Sequence, residues 1–233
     1  MSLQAIALEA GRSDKATRAA VDIIEFIESS WGLNISLFPV QRVILKAHYG
    51  LALDDTVHDV VVTDWRRENP QKLTEAGYLR KLYAEGRSNI KEVEPGRQRR
   101  ELVLSIGRRS GKTFLCACVV AYEVYKLILK DNPQSYYGIP KTNVIQLISV
   151  ATDKDQAGLL YNEASGHFSN CAFYKPYTAN NTMSYAKFQS PEDIKRFGRY
   201  VDDPTAKATI KVSFKSCVAK GLRGAGNIVI ILD

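Results

Sequence analysis

Residues 102–120 read LVLSIGRRSGKTFLCACVV, and the position of Gly111, Lys112 and Thr113 between two apolar runs decides how the rest of the chain is read. The first run predicts a buried strand over 101–106 and the second a helix, so these residues fall where a strand hands over to a helix. A glycine-rich turn at such a junction exposes backbone N–H groups, and the helix adds the positive end of its dipole. Both favour phosphate. Lys112 then reaches the β- and γ-phosphates and the Thr113 hydroxyl ligates Mg²⁺, while Gly107, Arg108, Arg109, Ser110 and Gly111 form the cradle. The pattern for such a loop is GxxxxGK(S/T). The chain departs from it once: Ile106 stands at the first glycine, and Gly107 follows one place later.

Downstream the same alternation repeats. VIQLISVAT (144–152) reads as a buried strand, Asp153 or Asp155 starts the helix DQAGLLYNEASGHF, ATIKVSF (208–214) is a further strand, and IVIILD ends the chain on Asp233. Strands that alternate with helices predict an α/β fold with a mainly parallel central sheet flanked by helices and ligands at the carboxyl ends of the strands. Mg²⁺ needs a carboxylate, and Asp233 at the end of an apolar strand supplies one. ATP and Mg²⁺ are therefore the expected cofactors, with Lys112 and Asp233 in catalytic roles. NTPases of this kind carry a glutamate after that aspartate to orient water. The chain ends at Asp233, so binding of nucleotide is expected with poor turnover.

The composition narrows the partners. The 233 residues are 45% hydrophobic, enough for a sizeable core, and a formal charge of +7 with a pI near 9.2 makes nucleic acid the leading polyanionic partner. Cys116, Cys118, Cys171 and Cys217 make no CxxC pair, and His48, His58 and His167 lack ligand spacing, which argues against zinc and for reduced, mostly buried thiols in a cytoplasmic protein. The most apolar window, Phe114 to Leu129, is broken by Glu123 and Lys126, and no basic leader precedes an apolar run, so no membrane span is expected.

Residues 1–50 read as a helical lead. One helix starts at Ser13 or Asp14, repeats apolar residues through Ala16, Ala20, Ile23, Ile24, Ile27 and Trp31 and stops at Gly32; a second follows Pro39 and ends at Gly50. Residues 51–100 read as an insertion: a short strand in VHDVVVTDW, a helix over LTEAGYLRKLYAEG capped by Thr74 and stopped by Gly86, and the charged loop EVEPGRQRR. Its Arg66–Arg67 and Arg97–Arg100 clusters either touch phosphates or are solvated. Residues 101–233 form the core, within which 169–209 show no clear organisation.

Four segments resemble the ATPase region of a tailed-bacteriophage terminase large subunit, over roughly residues 35–233. LFPVQRVIL (37–45) resembles the family's adenine-recognition segment, with Gln41 pairing the adenine edge and Phe38 stacking on it. GRRSGKT (107–113) resembles its variant phosphate loop, in which Arg108, or the neighbouring Arg109, stabilises γ-phosphate charge. LISVATDKDQA (147–157) is similar to the strand and helix that follow. KGLRGAGNIVIILD (220–233) is similar to the approach to the acidic strand, with Arg223 either a finger offered to a neighbouring subunit or a loop arginine paired with an acid. Seventy positions separate Gln41 from Gly111, so the adenine assignment requires residues 51–100 to loop out.

The resemblance implies a RecA-like P-loop ATPase of the ASCE type that couples ATP hydrolysis to translocation of double-stranded DNA into a procapsid. It implies as partners the portal protein, the terminase small subunit and further copies of the chain in a ring, and as location the host cytoplasm, transiently at the portal. The family's carboxy-terminal nuclease domain is expected to have no counterpart within these 233 residues, so no nuclease activity is assigned to them. A helicase or other nucleic-acid translocase shares the same core. A small-molecule kinase would need an arginine-rich lid, which only residues 85–100 could imitate, and a nucleotide-insensitive interaction module would leave the loop without a ligand.

Overall fold

A computed structural model describes residues 20–63, 69–107, 110–141, 143–217 and 226–232. The chain divides into two compact units, Asp22–Leu115 and a second that comprises Cys116–Asp233 with the residues up to Val21.

In the first unit, α1 (Ile23–Glu28) starts where the extended Asp22 turns its carboxylate onto the Glu25 N–H, 2.9 Å away. The expected start at Ser13 or Asp14 lies outside the described residues, and 20–22 are not helical. A cap that satisfies an orphan N–H outranks the apolar periodicity that runs through it. Gly32 stops the turn that follows, because a Cβ there would meet the Phe26 carbonyl oxygen at 1.9 Å. Helix α2 (Pro39–Tyr49) begins with proline at its first position and ends at Gly50 in the left-handed conformation.

The chain then makes a short antiparallel ribbon, β1 (Val60–Val62) with β2 (Gln71–Leu73), and α3 (Glu75–Ala84), capped by Thr74 on the Gly77 N–H at 3.0 Å. Val43 of α2, Val60 of β1 and Leu79 of α3 form the buried centre of this unit. Glu75, only 4% exposed, accepts from the Lys46 ammonium at 2.6 Å and from the Asp54 N–H at 2.8 Å, tying α3 to α2. The excursion closes on itself: the Gly96 N–H donates to the Gly50 carbonyl and the Arg99 N–H to the His48 carbonyl, both at 2.8 Å.

The strand expected over 101–106 is absent. These residues pair with no strand among the described residues, and Val103 is 88% exposed. An apolar run signals a tendency to be buried and does not name a neighbouring strand to receive its N–H and C=O groups.

Helix α4 (Lys112–Leu129) starts in the first unit and continues into the second, followed by the single turn α5 (Pro133–Tyr136). Strand β3 (Ile145–Ala151), buried along its length, leads into α6 (Lys154–Asn170), whose N-cap is Asp153. A 3₁₀ turn (Ala172–Tyr174), β4 (Thr178–Asn181), β5 (Tyr185–Phe188), α7 (Pro191–Phe197), β6 (Ile210–Ser216) and β7 (Gly226–Leu232) complete it. The sheet order is β4-β5-β6-β3-β7, with β3 parallel to β6 and β7 and the remaining pairs antiparallel. The sheet is thus parallel in its three-strand half only.

Residues 169–209, unreadable as sequence, are built largely by side chains on backbone. Ser190 and Asp193 cap α7 reciprocally, and the buried Asp193 carboxylate also takes the Thr209 N–H and hydroxyl. Helix α6 covers one face of β3 and β6, where Phe168 meets Phe188 and Tyr174 with ring centroids 4.8 and 5.2 Å apart. The buried Tyr174 hydroxyl donates to the Ala121 carbonyl of α4 at 2.6 Å.

Candidate nucleotide site

Gly111, at φ +78°, is the turn residue immediately before Lys112, the first residue of α4. The left-handed backbone sends the chain from the loop into the helix, and the Leu115 N–H then bonds to the Gly111 carbonyl at 2.9 Å. The loop is held by its own polar groups. The Ser110 hydroxyl donates to the Gly107 carbonyl at 2.5 Å, and the Lys112 ammonium folds back to the Ile106 carbonyl at 3.2 Å. Lys112 thus occupies a neutral acceptor, a bond that an anionic phosphate oxygen would displace because charge-assisted bonds are about twice as strong.

Gln41 arrives at this loop from seventy positions upstream. It is the third residue of α2, and its backbone N–H donates to the Phe38 carbonyl at 2.8 Å while its side-chain oxygen accepts the Phe38 N–H at 3.0 Å. That reciprocal pair fixes the amide, whose nitrogen comes within 3.2 Å of where a Cβ on Gly111 would lie. Two helix amino termini, those of α2 and α4, therefore meet at one place, and their positive dipole ends add. The Phe38 ring beside them is 74% exposed.

The structure brings together Gln41, Phe38, Ile106, Gly107, Ser110, Gly111 and Lys112 within one unit, with Thr113 next in α4 and half-buried. Arg108, Arg109, Arg223 and Asp233 lie outside the described residues. In the second unit, β3 and β7 run in register from Leu147 with Val229 to Val150 with Leu232, so the capping Asp153 follows β3 at the sheet end where β7 also finishes.

Sequence reasoning missed the Ile106 carbonyl as a resting partner for Lys112 and the convergence of the two helix termini. The second had a signal in Phe38 and Gln41, which stand at N-cap and third helical position behind Pro39.

A family model described as "Uncharacterized protein MJ0330, N-terminal P-loop domain" matches residues 4–210. The chain belongs to that P-loop family. No curated protein and no solved structure matches it. The match takes in both Gln41 and the Gly111-Lys112-Thr113 turn and stops short of β7. Nucleotide binding, usually with Mg²⁺, is what a P-loop domain implies in general, and the mixed α/β fold with its parallel strands fits a P-loop NTPase. The family's description mentions no DNA packaging, so the terminase resemblance rests on the four segments alone.

Proposed function

We propose that this chain is the ATP-binding domain of a RecA-like, ASCE-type P-loop ATPase that drives movement along nucleic acid. The observation that carries the reading is the approach of the Gln41 amide to Gly111. An adenine-reading glutamine is useful only beside a phosphate loop, and the chain between positions 41 and 111 returns it there. In this reading Lys112 leaves the Ile106 carbonyl for the β- and γ-phosphates, Thr113 and Asp233 hold Mg²⁺, Gln41 reads adenine and Phe38 stacks on it. The Gln41 oxygen, already accepting from Phe38, keeps one lone pair for the adenine amino group, and the amide nitrogen beside Gly111 carries the donors.

The finer proposal is a viral packaging motor of the terminase type. It would act on double-stranded DNA without sequence preference, in a ring of copies on a portal with a small subunit, in the host cytoplasm. Arg108 or Arg109 would act within the subunit and Arg223 towards a neighbour. A small-molecule kinase is disfavoured because the arginine-bearing segment that would serve as its lid is tied by backbone hydrogen bonds to His48 and Gly50.

Thermal denaturation with and without Mg-ATP tests the reading. Ligand at a hundred times its dissociation constant should stabilise the chain by about 2.7 kcal/mol, and Lys112→Ala should remove that gain. A Lys112→Ala protein that keeps the full gain would refute the phosphate cradle.

A further inference from the structure

The face of the sheet turned away from α6 carries an arrangement that neither the loop nor the family explains. Phe188 and Phe214 point towards α6, where they meet Phe168 and Gly158. Successive residues of a strand alternate sides, so Tyr185, Lys187, Lys211, Ser213 and Lys215 share the opposite face. On it, Asn180 of β4 pairs with Lys187 of β5, Lys187 with Lys211 of β6, and Lys211 with Gln146 of β3. Asn180, Lys187 and Lys211 are partly exposed over three strands, a span of about 10 Å, whereas Gln146 is buried and its amide donates to the Ser213 hydroxyl at 2.5 Å.

The two lysines are directly opposed like charges, which destabilise a sheet. Their ammonium groups each stand 5.4 Å from the centre of the Tyr185 ring. Burial, and then the charges of Lys187 and Lys215, push the Lys211 ammonium below its usual pKa, so the charges that act on it are cations. Among the described residues, neither Lys187 nor Lys211 makes an ion pair with a carboxylate. Lysines often protect sheet edges from pairing, but β5 and β6 are interior strands and have no edge to protect. A repulsive pair that neither guards an edge nor meets an acid is suited to an anion that arrives from outside.

We propose that this lysine face binds the phosphodiester backbone of nucleic acid. Lys187 and Lys211 straddle one phosphate, Asn180 stands beside Lys187 in the same row as a further polar group, and the Tyr185 ring supports both cations. The contact is sequence-independent, since the two lysines act on phosphate, which carries no sequence information. It supplies the motor reading above with a track surface and rests on that reading only for its coupling to ATP.

The test uses the full chain, a short fluorescein-labelled DNA duplex, and fluorescence anisotropy between about 0.05 and 0.3 M salt. One straddled phosphate contributes about 0.9 to the slope of log affinity against log salt, equivalent to about 8-fold in affinity at roughly 0.1 M. Lys187→Gln with Lys211→Gln should lose that much and flatten the slope accordingly, while the melting temperature holds or rises because the repulsion is gone. Lys187→Arg with Lys211→Arg should restore binding. Unchanged affinity and slope in the folded glutamine variant would overturn the proposal, as would binding to anionic lipid vesicles that depends on these lysines when binding to duplex does not. The stabilisation by Mg-ATP is read in parallel. Its absence from the wild-type chain, with lysine-dependent duplex binding intact, would sink the ATPase reading and leave this one standing.

Discussion

Gly111→Ala should damage the loop in a way that Gly107→Ala does not, and the difference can be worked from the backbone. At φ +78° an alanine sits in the left-handed region, which costs an L-residue about 1–2 kcal/mol. Its methyl would also lie 3.2 Å from the Gln41 amide nitrogen, closer than ordinary van der Waals contact, so the amide must shift by a few tenths of an ångström. Gly107 has no positive φ, and a Cβ there meets nothing within 4 Å. Both tryptophans, Trp31 and Trp65, fall within Asp22–Leu115, so tryptophan fluorescence in a urea titration reports on the unit that holds the loop. With a slope of about 2 kcal/mol per M, Gly111→Ala should lower the midpoint by about 0.5–1 M. Gly107→Ala should stay within about 0.5 kcal/mol of the parent. The Mg-ATP stabilisation should shrink for Gly111→Ala as the amide leaves its place. Equal midpoints and equal nucleotide responses for the two variants would refute the claim that the left-handed turn and the Gln41 contact shape the site.

Glu75→Ala would leave the Lys46 ammonium and the Asp54 N–H without their buried acceptor, and should destabilise the same unit by about 3–5 kcal/mol in the same titration; a loss below about 1 kcal/mol would mean that the pair does not anchor α3 to α2. Burial drives the Cys118 thiol up to about 12, so at pH 8 only about one molecule in ten thousand carries the thiolate there. Native alkylation followed by mass spectrometry should therefore mark exposed Cys217 first and leave Cys118 and Cys171 nearly untouched, and comparable rates at Cys118 and Cys217 would contradict the packing of α4. Because the folded value for Cys118 exceeds the unfolded 9.0, its burial adds stability below about pH 9 that declines as the pH climbs towards 12.

Elements whose start and stop are written in single residues were legible in the chain. Thr74 and Gly86 bracket α3, Pro39 and Gly50 bracket α2, and Asp153 starts α6: Thr74 and Asp153 satisfy orphan N–H groups, Pro39 has none to satisfy, and the two glycines take the left-handed conformation that ends a helix. The run Ile145–Ala151 was legible for a different reason, since a strand covered on both faces is mostly apolar, with its two polar residues, Gln146 and Ser149, hydrogen-bonded inside. The same rule misled over 101–106, where the composition of a buried strand occurs without a paired neighbour. Residues 169–209 stayed opaque because their organisation depends on contacts between distant residues. Asn181 on β4 is fixed by Ser165 and Ser169 of α6, and Asp193 by Thr209 across sixteen positions. No periodicity encodes such pairs.

The site was legible to a different degree in its two halves. The turn Gly111-Lys112-Thr113 is local, and local chemistry dictates it: a positive φ needs glycine, and a helix amino terminus favours an anion. The glutamine is not local. Sequence alone could set Gln41 beside the loop only if the intervening residues formed a closed excursion, and closure depends on two backbone bonds, Gly96 to Gly50 and Arg99 to His48. Neither bond leaves a mark in residue type, since any residue other than proline can donate an N–H. Gly50 does leave one, because a Cβ there would meet the Arg97 backbone at 2.5 Å. A substituent at Gly50 should therefore loosen the closure and, through α2, the approach of Gln41 to Gly111. Position 50 thus acts on the nucleotide site without touching it.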